Sequence, residues 1–156
     1  MAATVTVPAP PDAVWELVTD PDRFAEWADR TLEVTRADRP LSIGSTYEER
    51  NVVLGSMTGE SRWTVVEHEP PRRTTHRGEG LALASSLDFF LELREVEQAT
   101  EVTVGLRYRP GLGPLGRVID RLHARRSLQA SMERSARNIG VLVERELSRS
   151  GARSAG

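Results

Sequence analysis

Apolar positions along this chain change period once. From Ala3 to Tyr108 they recur mostly at every second residue in short runs, and from Leu115 onward at every third or fourth. The first regime opens with a short strand, Ala3–Val7, and is then interrupted by two short helices. Pro11 and Asp12 suit a helical first turn, and Val14, Leu17 and Val18 give that helix an apolar stripe. Asp20 can cap a second helix with Pro21 in its first position, where a missing N–H costs nothing. Phe24 and Trp27 follow. Thr31–Ala37 reads as a strand, with Pro40 and Gly44 marking a turn. Ser45–Leu54 and Thr58–Glu69 read as a hairpin about Gly55-Ser56, ended by Pro70-Pro71. Arg72–Gly78 is a weaker strand, polar on both faces, and is expected near a sheet edge. Leu87–Val96 and Glu101–Arg109 alternate most cleanly. Leu87, Phe89, Leu91 and Leu93 share one face of the first, and Val102, Val104, Leu106 and Tyr108 share one face of the second. One wet face and one buried face predict an antiparallel sheet.

In the second regime Gly111-Leu112-Gly113-Pro114 opens a helix from about Leu115 to Leu147. Its stripe is Leu115, Val118, Leu122, Met132, Ala136, Ile139, Val143 and Leu147, with Arg125 and Gln129 at its centre. The fold class is therefore α+β, with a long helix over one face of a curved sheet. Either the helix lies flush, or Trp15, Phe24 and Trp27 prop it away and leave a cavity. A single domain is expected over 1–148, and 149–156 is expected to be a disordered tail.

Composition narrows the function. The chain has 156 residues and a formal net charge of −2, which leaves no electrostatic footprint for nucleic acid. All 21 basic residues are arginine, and cysteine is absent, which excludes disulfides and thiol catalysis. No apolar run approaches the roughly 20 residues that span a bilayer. No basic segment followed by an apolar one opens the chain, so no signal peptide or membrane insertion is expected and a cytoplasmic location is.

The runs VPAPPDAVWELVTDPDRFAEW, VVEHEPPRR and TEVTVGLRYRPGLGPLGRVIDRL, with the arginine-rich closing helix, resemble the START-like (SRPBCC) superfamily. The resemblance is to its bacterial polyketide cyclase/dehydrase-type branch and covers roughly residues 3 to 147. It implies a helix-grip fold: about seven antiparallel strands around a long C-terminal helix, with two short helices after the first strand. It also implies a cavity for an apolar ligand. Members of the superfamily include cyclases, aromatases, lipid carriers, hormone receptors and chaperone activators, so the fold does not choose the activity.

Several residues carry candidate chemistry. Gly111 to Gly116 fits G-x-G-x-x-G, but no second parallel strand follows, so these glycines are assigned to the turn and not to a dinucleotide. His68, His76 and His123 are too scattered for a metal site, and no metal or other cofactor is expected. His76 is either an ordinary strand histidine or a general base. Arg125 needs a carboxylate, a ligand anion or water if buried; otherwise it overhangs a cavity mouth and reaches solvent. Glu48 and Glu49 face opposite sides. Tyr47, Glu49 and Asn51 share one face, and Thr46, Glu48 and Arg50 the other; either one of these sets lines a pocket or the strand is a solvated edge. Trp63, Phe89, Tyr108 and Met132 read equally as core and as cavity wall.

The expected ligand-binding set is Trp27, Tyr47, Trp63, Phe89, Tyr108, Arg125, Gln129 and Met132. A hydrophobic small molecule, polyketide-, lipid- or aromatic-like, is the expected partner. The alternative is a cyclase/dehydrase-type enzyme with His76 as base and Tyr108 or Arg125 stabilising an enolate. A third reading is a module acting on a chaperone. Oligomeric state is not readable from the sequence.

Overall fold

Alternating sequence in the first two thirds of the chain becomes one antiparallel sheet. The elements run β1 (Ala2–Val7), α1 (Pro11–Thr19), a single 3-10 turn (Pro21–Arg23), α2 (Phe24–Trp27) and β2 (Thr31–Ala37). They continue through β3 (Thr46–Leu54), β4 (Met57–Glu69), β5 (Arg73–Glu79), β6 (Ala84–Val96) and β7 (Ala99–Pro110) to α3 (Gly116–Ser154). The computed structural model describes residues 1–54, 56–79, 84–110 and 116–154, excepting the side chains of 54, 84–86, 108–110, 116–124 and 153–154. Strand order is β1-β7-β6-β5-β4-β3-β2, every neighbour antiparallel. With α3 gripped by the sheet and the short helices after β1, this is the expected helix-grip fold.

Local signals place the connections. Asp20 accepts from the backbone N–H of Asp22 at 3.0 Å and so caps the 3-10 turn, with Pro21 first in it. Gly44 takes φ +84°, a left-handed turn that glycine adopts without a Cβ clash. β1 pairs with β7 from Ala2↔Gly105 to Val7↔Thr100, so chain-distant segments form one edge of the sheet.

The core lies between the concave face and the helices. Val102, Val104 and Leu106 of β7 and Leu91 and Leu93 of β6 meet Val14 and Val18 of α1 and Ile139, Leu142 and Val143 of α3. Among the described residues α3 packs on β1, β7 and α2. Two contacts with α2 and the approach to β2 fix it there. Asp29 pairs with Arg134 at 2.6 Å, and the Asn138 amide donates to the Trp27 carbonyl at 3.2 Å. On the convex face Phe90 lies over Gly105, its register partner, with the Arg107 guanidinium 4.1 Å above the ring.

Four expectations are corrected. β5 is the middle strand and not an edge; Thr74, Thr75 and His76 are buried because each side chain finds a hydrogen-bond partner. Arg125 is exposed and does not lie on the buried stripe, which keeps its guanidinium hydrated. The stripe also takes in Leu142 and releases Leu147, which is 41% exposed. The expected tail is helical through Ser154, with an Arg149–Glu146 pair at 2.9 Å on its last turns. The side chains of Leu115, Val118, Leu122 and His123 lie outside the described residues, as does the segment 111–115.

Candidate functional site

Period-two alternation in β3 and β4 sends one set of polar residues inward. Tyr47 and Glu49 of β3 are buried opposite Trp63 and Ser61 of β4, their register partners. Thr46 and Arg50 point out, and Glu48 pairs with Arg62 on the outer face. The solvated-edge reading of the Tyr47 face therefore fails, because β2 covers β3.

Glu49 is the chemical centre of this face. It is 6% exposed, and no cation pairs with it among the described residues. Its Oε1 accepts from the Trp63 indole N–H at 2.9 Å, from the Ser61 hydroxyl at 3.3 Å and from the Asn51 amide at 3.3 Å. Its Oε2 accepts from the Thr31 hydroxyl of β2 at 2.9 Å. Burial pushes the Glu49 carboxyl above the usual range, and the four donors pull it back by favouring the anion.

An aromatic wall continues from it. Trp63 stacks on Tyr47 with centroids 6.3 Å apart, and Phe24 meets Tyr47 edge-on at 5.3 Å. Phe24 also meets Trp27 at 5.7 Å, and Trp27 lies 5.9 Å from Phe89. Among the described residues the Trp27 indole N–H is buried without a hydrogen-bond partner, as is the Arg30 Nε–H. Such a donor costs about 1–3 kcal/mol when left unmet.

His76 sits within this wall, 1% exposed, and its hydrogen bonds fix its tautomer. The Thr74 hydroxyl donates its single proton to the Glu67 carbonyl at 2.9 Å. His76 Nε2–H must then donate to Thr74 Oγ1, at 2.9 Å, which leaves Nδ1 to accept from the Tyr47 hydroxyl at 3.0 Å. Burial, with His68 adding a smaller push, drives the His76 pKa down to about 3. Neither ring nitrogen is left for a substrate proton.

Of the sequence-derived set, Trp27, Tyr47, Trp63 and Phe89 come together, with His76 among them. Met132 is buried on α3 within the same core. Arg125 and Gln129 are not brought in. Arg125 is exposed, and the Gln129 amide is spent on the Ala2 carbonyl at 3.0 Å and on Glu133 at 3.2 Å. The Tyr108 side chain lies outside the described residues. Sequence reasoning named Glu49 only as a member of the Tyr47 face, and did not single out Ser61, Thr31 or Thr74 as functional. The parity that places Tyr47 inward places Glu49 inward too, and that was the available signal.

Residues 1–144 match the family described as polyketide cyclase / dehydrase and lipid transport. Two curated relatives from Mycobacterium tuberculosis strains, Toxin Rv0910 and Toxin MT0934, are each 29% identical over 136 residues. Those alignments cover 83% of this chain and 92% of theirs. Among solved structures, the di-domain ARO/CYC StfQ of the steffimycin biosynthetic pathway superposes with a TM-score of 0.76 at 12% identity. That match covers 95% of this chain and 51% of StfQ, so the chain spans about half of it. CV1439 from Chromobacterium violaceum superposes at 0.67, with 16% identity, covering 92% of this chain and 96% of that one.

Proposed function

Because this chain belongs to the polyketide cyclase/dehydrase and lipid transport family, we propose that its interior binds a hydrophobic, oxygen-bearing small molecule. One observation carries the reading: an aromatic wall (Trp27, Phe24, Tyr47, Trp63) ends on buried polar groups that serve no ion pair. A purely structural core of this size has no use for an unpaired carboxylate and an unmet indole N–H, each of which costs stability. A few fixed polar groups in an apolar enclosure are what a ligand site needs for orientation.

The test is extraction of the protein from its native host under denaturing conditions, followed by mass spectrometry. A stoichiometric apolar compound is expected. A panel of aromatic and polyketide-like compounds that neither co-purifies nor raises Tm would overturn the reading. A second reading, a cyclase/dehydrase-type enzyme acting in the same interior, is favoured by the buried carboxyl of Glu49, which can exchange a proton. A third rests on the relatives named toxins. It predicts that inducible expression arrests growth of the host, and unchanged growth would sink it.

A further inference from the structure

Four arginines of this chain show how it holds a carboxylate. Arg23, Arg39, Arg77 and Arg134 each turn the Nε–Nη2 edge of the guanidinium to both oxygens of one acid. On Arg30 that edge meets no acid. Its Nε–H is buried and unmet, and its Nη2 donates to the Ser127 hydroxyl at 2.6 Å. Nη1 donates to the carbonyls of Val53 at 3.0 Å and Val52 at 3.4 Å. The neighbouring Asp29 cannot supply the acid, because Arg134 holds both of its oxygens. Carboxylate partners hold those four arginines above the ordinary arginine pKa, whereas burial holds Arg30 below it. A half-buried guanidinium without a counter-charge is a costly arrangement.

The place of Arg30 in the fold says where an acceptor comes from. Among the described residues α3 packs on β1, β7, α1 and α2, and the β3–β4 flank of the sheet is not one of its packing partners. Arg30 spans that divide, with β3 carbonyls on one side and Ser127 of α3 on the other. Its neighbours along the chain serve the interior: Trp27 belongs to the aromatic wall, and the Thr31 hydroxyl meets buried Glu49. Solvent does not touch the Nε atom, so its acceptor comes from the interior side. Arg125 and Arg126, beside Ser127, are exposed and have no acid partner among the described residues. The charge about the divide is therefore positive, in a chain whose formal net charge is −2.

We propose that Arg30 binds the carboxylate of an aromatic acid, whose apolar body lies in the interior and whose acid end reaches the divide between β3 and α3. The proposal rests on the ligand-binding reading and narrows its oxygen-bearing molecule to an anion. The Nε–H donates to one carboxylate oxygen. Nη2 carries two N–H bonds, so it serves Ser127 and the second oxygen together. This is the geometry the four paired arginines already adopt, and it supplies the negative charge that Arg30 lacks. An aromatic body suits the rings of Phe24, Trp27 and Phe89, which meet one another edge-on or tilted.

The experiment compares two probes of one shape, α-naphthaleneacetic acid and its neutral amide, by calorimetry at neutral pH. Wild type is expected to bind the acid about 10- to 100-fold more tightly, the worth of hydrogen bonds to a charged group. Arg30→Gln should bind acid and amide alike, with the amide affinity unchanged as evidence that the fold is intact. Arg30→Lys keeps the cation without the two-donor edge and should lose most of the preference, which a merely electrostatic role would not. Nitrogen-15 NMR of wild type gives a readout that stands even if both variants fail to fold. One arginine Nε–H signal should move on adding the acid and stay in place with the amide. Equal binding of the two probes by wild type, a preference that survives in Arg30→Gln, or arginine Nε–H signals that the acid leaves unmoved, overturns the proposal. Binding of the amide in any of those cases leaves the ligand reading standing. A wild-type protein that binds neither probe overturns both.

Discussion

At the scale of single residues, burial at His76 has a thermodynamic signature that can be measured without any ligand. Its folded pKa lies near 3 against an ordinary 6.5, so the folded state binds fewer protons than the unfolded one. Stability from this group is complete above pH 6.5 and declines as pH falls toward 3, by on the order of 5 kcal/mol in total. Glu49 works with the opposite sign: its raised pKa makes its contribution one that is lost as pH rises through the folded value. Chemical denaturation at several pH values should show the acid limb. In His76→Gln that limb should flatten, while stability at neutral pH falls by about 1–3 kcal/mol as Tyr47 and Thr74 lose their partner. An unchanged acid limb in the variant would remove His76 from the account. The same residue shows why a site is hard to read from sequence. Histidine at this position was visible as a possible base, but its tautomer is set by Thr74 and Tyr47, and the Thr74 proton is spent on a carbonyl of the neighbouring strand.

Elements were more legible than their neighbours in space. Alternation in β6 and β7 fixed which side faces the core, and Leu91, Leu93, Val102 and Val104 are all buried. β5 misled because a strand of Arg, Thr, Thr and His has the composition of an edge. Its central place depends on hydrogen bonds from His76 to Thr74 and from Thr75 to Glu67, which no one-strand pattern contains. α3 was legible from Met132 to Val143, where the stripe is dense, and failed at Arg125, where spacing alone cannot say that the helix face has turned to solvent. The sheet's convex side yields a prediction at this scale. A Cβ at Gly105 would lie 2.3 Å from Phe90 Cζ and 2.8 Å from the Met1 carbonyl oxygen. Gly105→Ala is therefore expected to cost about 1–3 kcal/mol in urea unfolding, through displacement of the ring from beneath Arg107. Adding Phe90→Ala should remove the ring's share of the Gly105→Ala penalty and leave that of the Met1 carbonyl, and two additive penalties would refute the ring clash.

For the whole molecule, a ligand held in the interior adds to folding stability by mass action. At a hundredfold excess over its Kd it should contribute about 2.7 kcal/mol, which is roughly 5–10 °C in Tm for a chain of this size. A compound found with the protein that leaves Tm unmoved does not bind the folded state in preference to the unfolded one. The pairing of β1 with β7 has a different consequence, for synthesis. Thr4 and Thr103, whose hydroxyls meet at 3.0 Å across that pair, are 99 residues apart in the chain. At ~5–20 residues per second, β1 leaves a ribosome roughly 5–20 s before its partner strand exists. Through that interval its backbone hydrogen bonds are open to any other strand, and the helix that covers it is made later still. The nascent chain cannot close its sheet progressively; the first strand made must wait for the last, and crowding by other nascent chains is most dangerous during that wait.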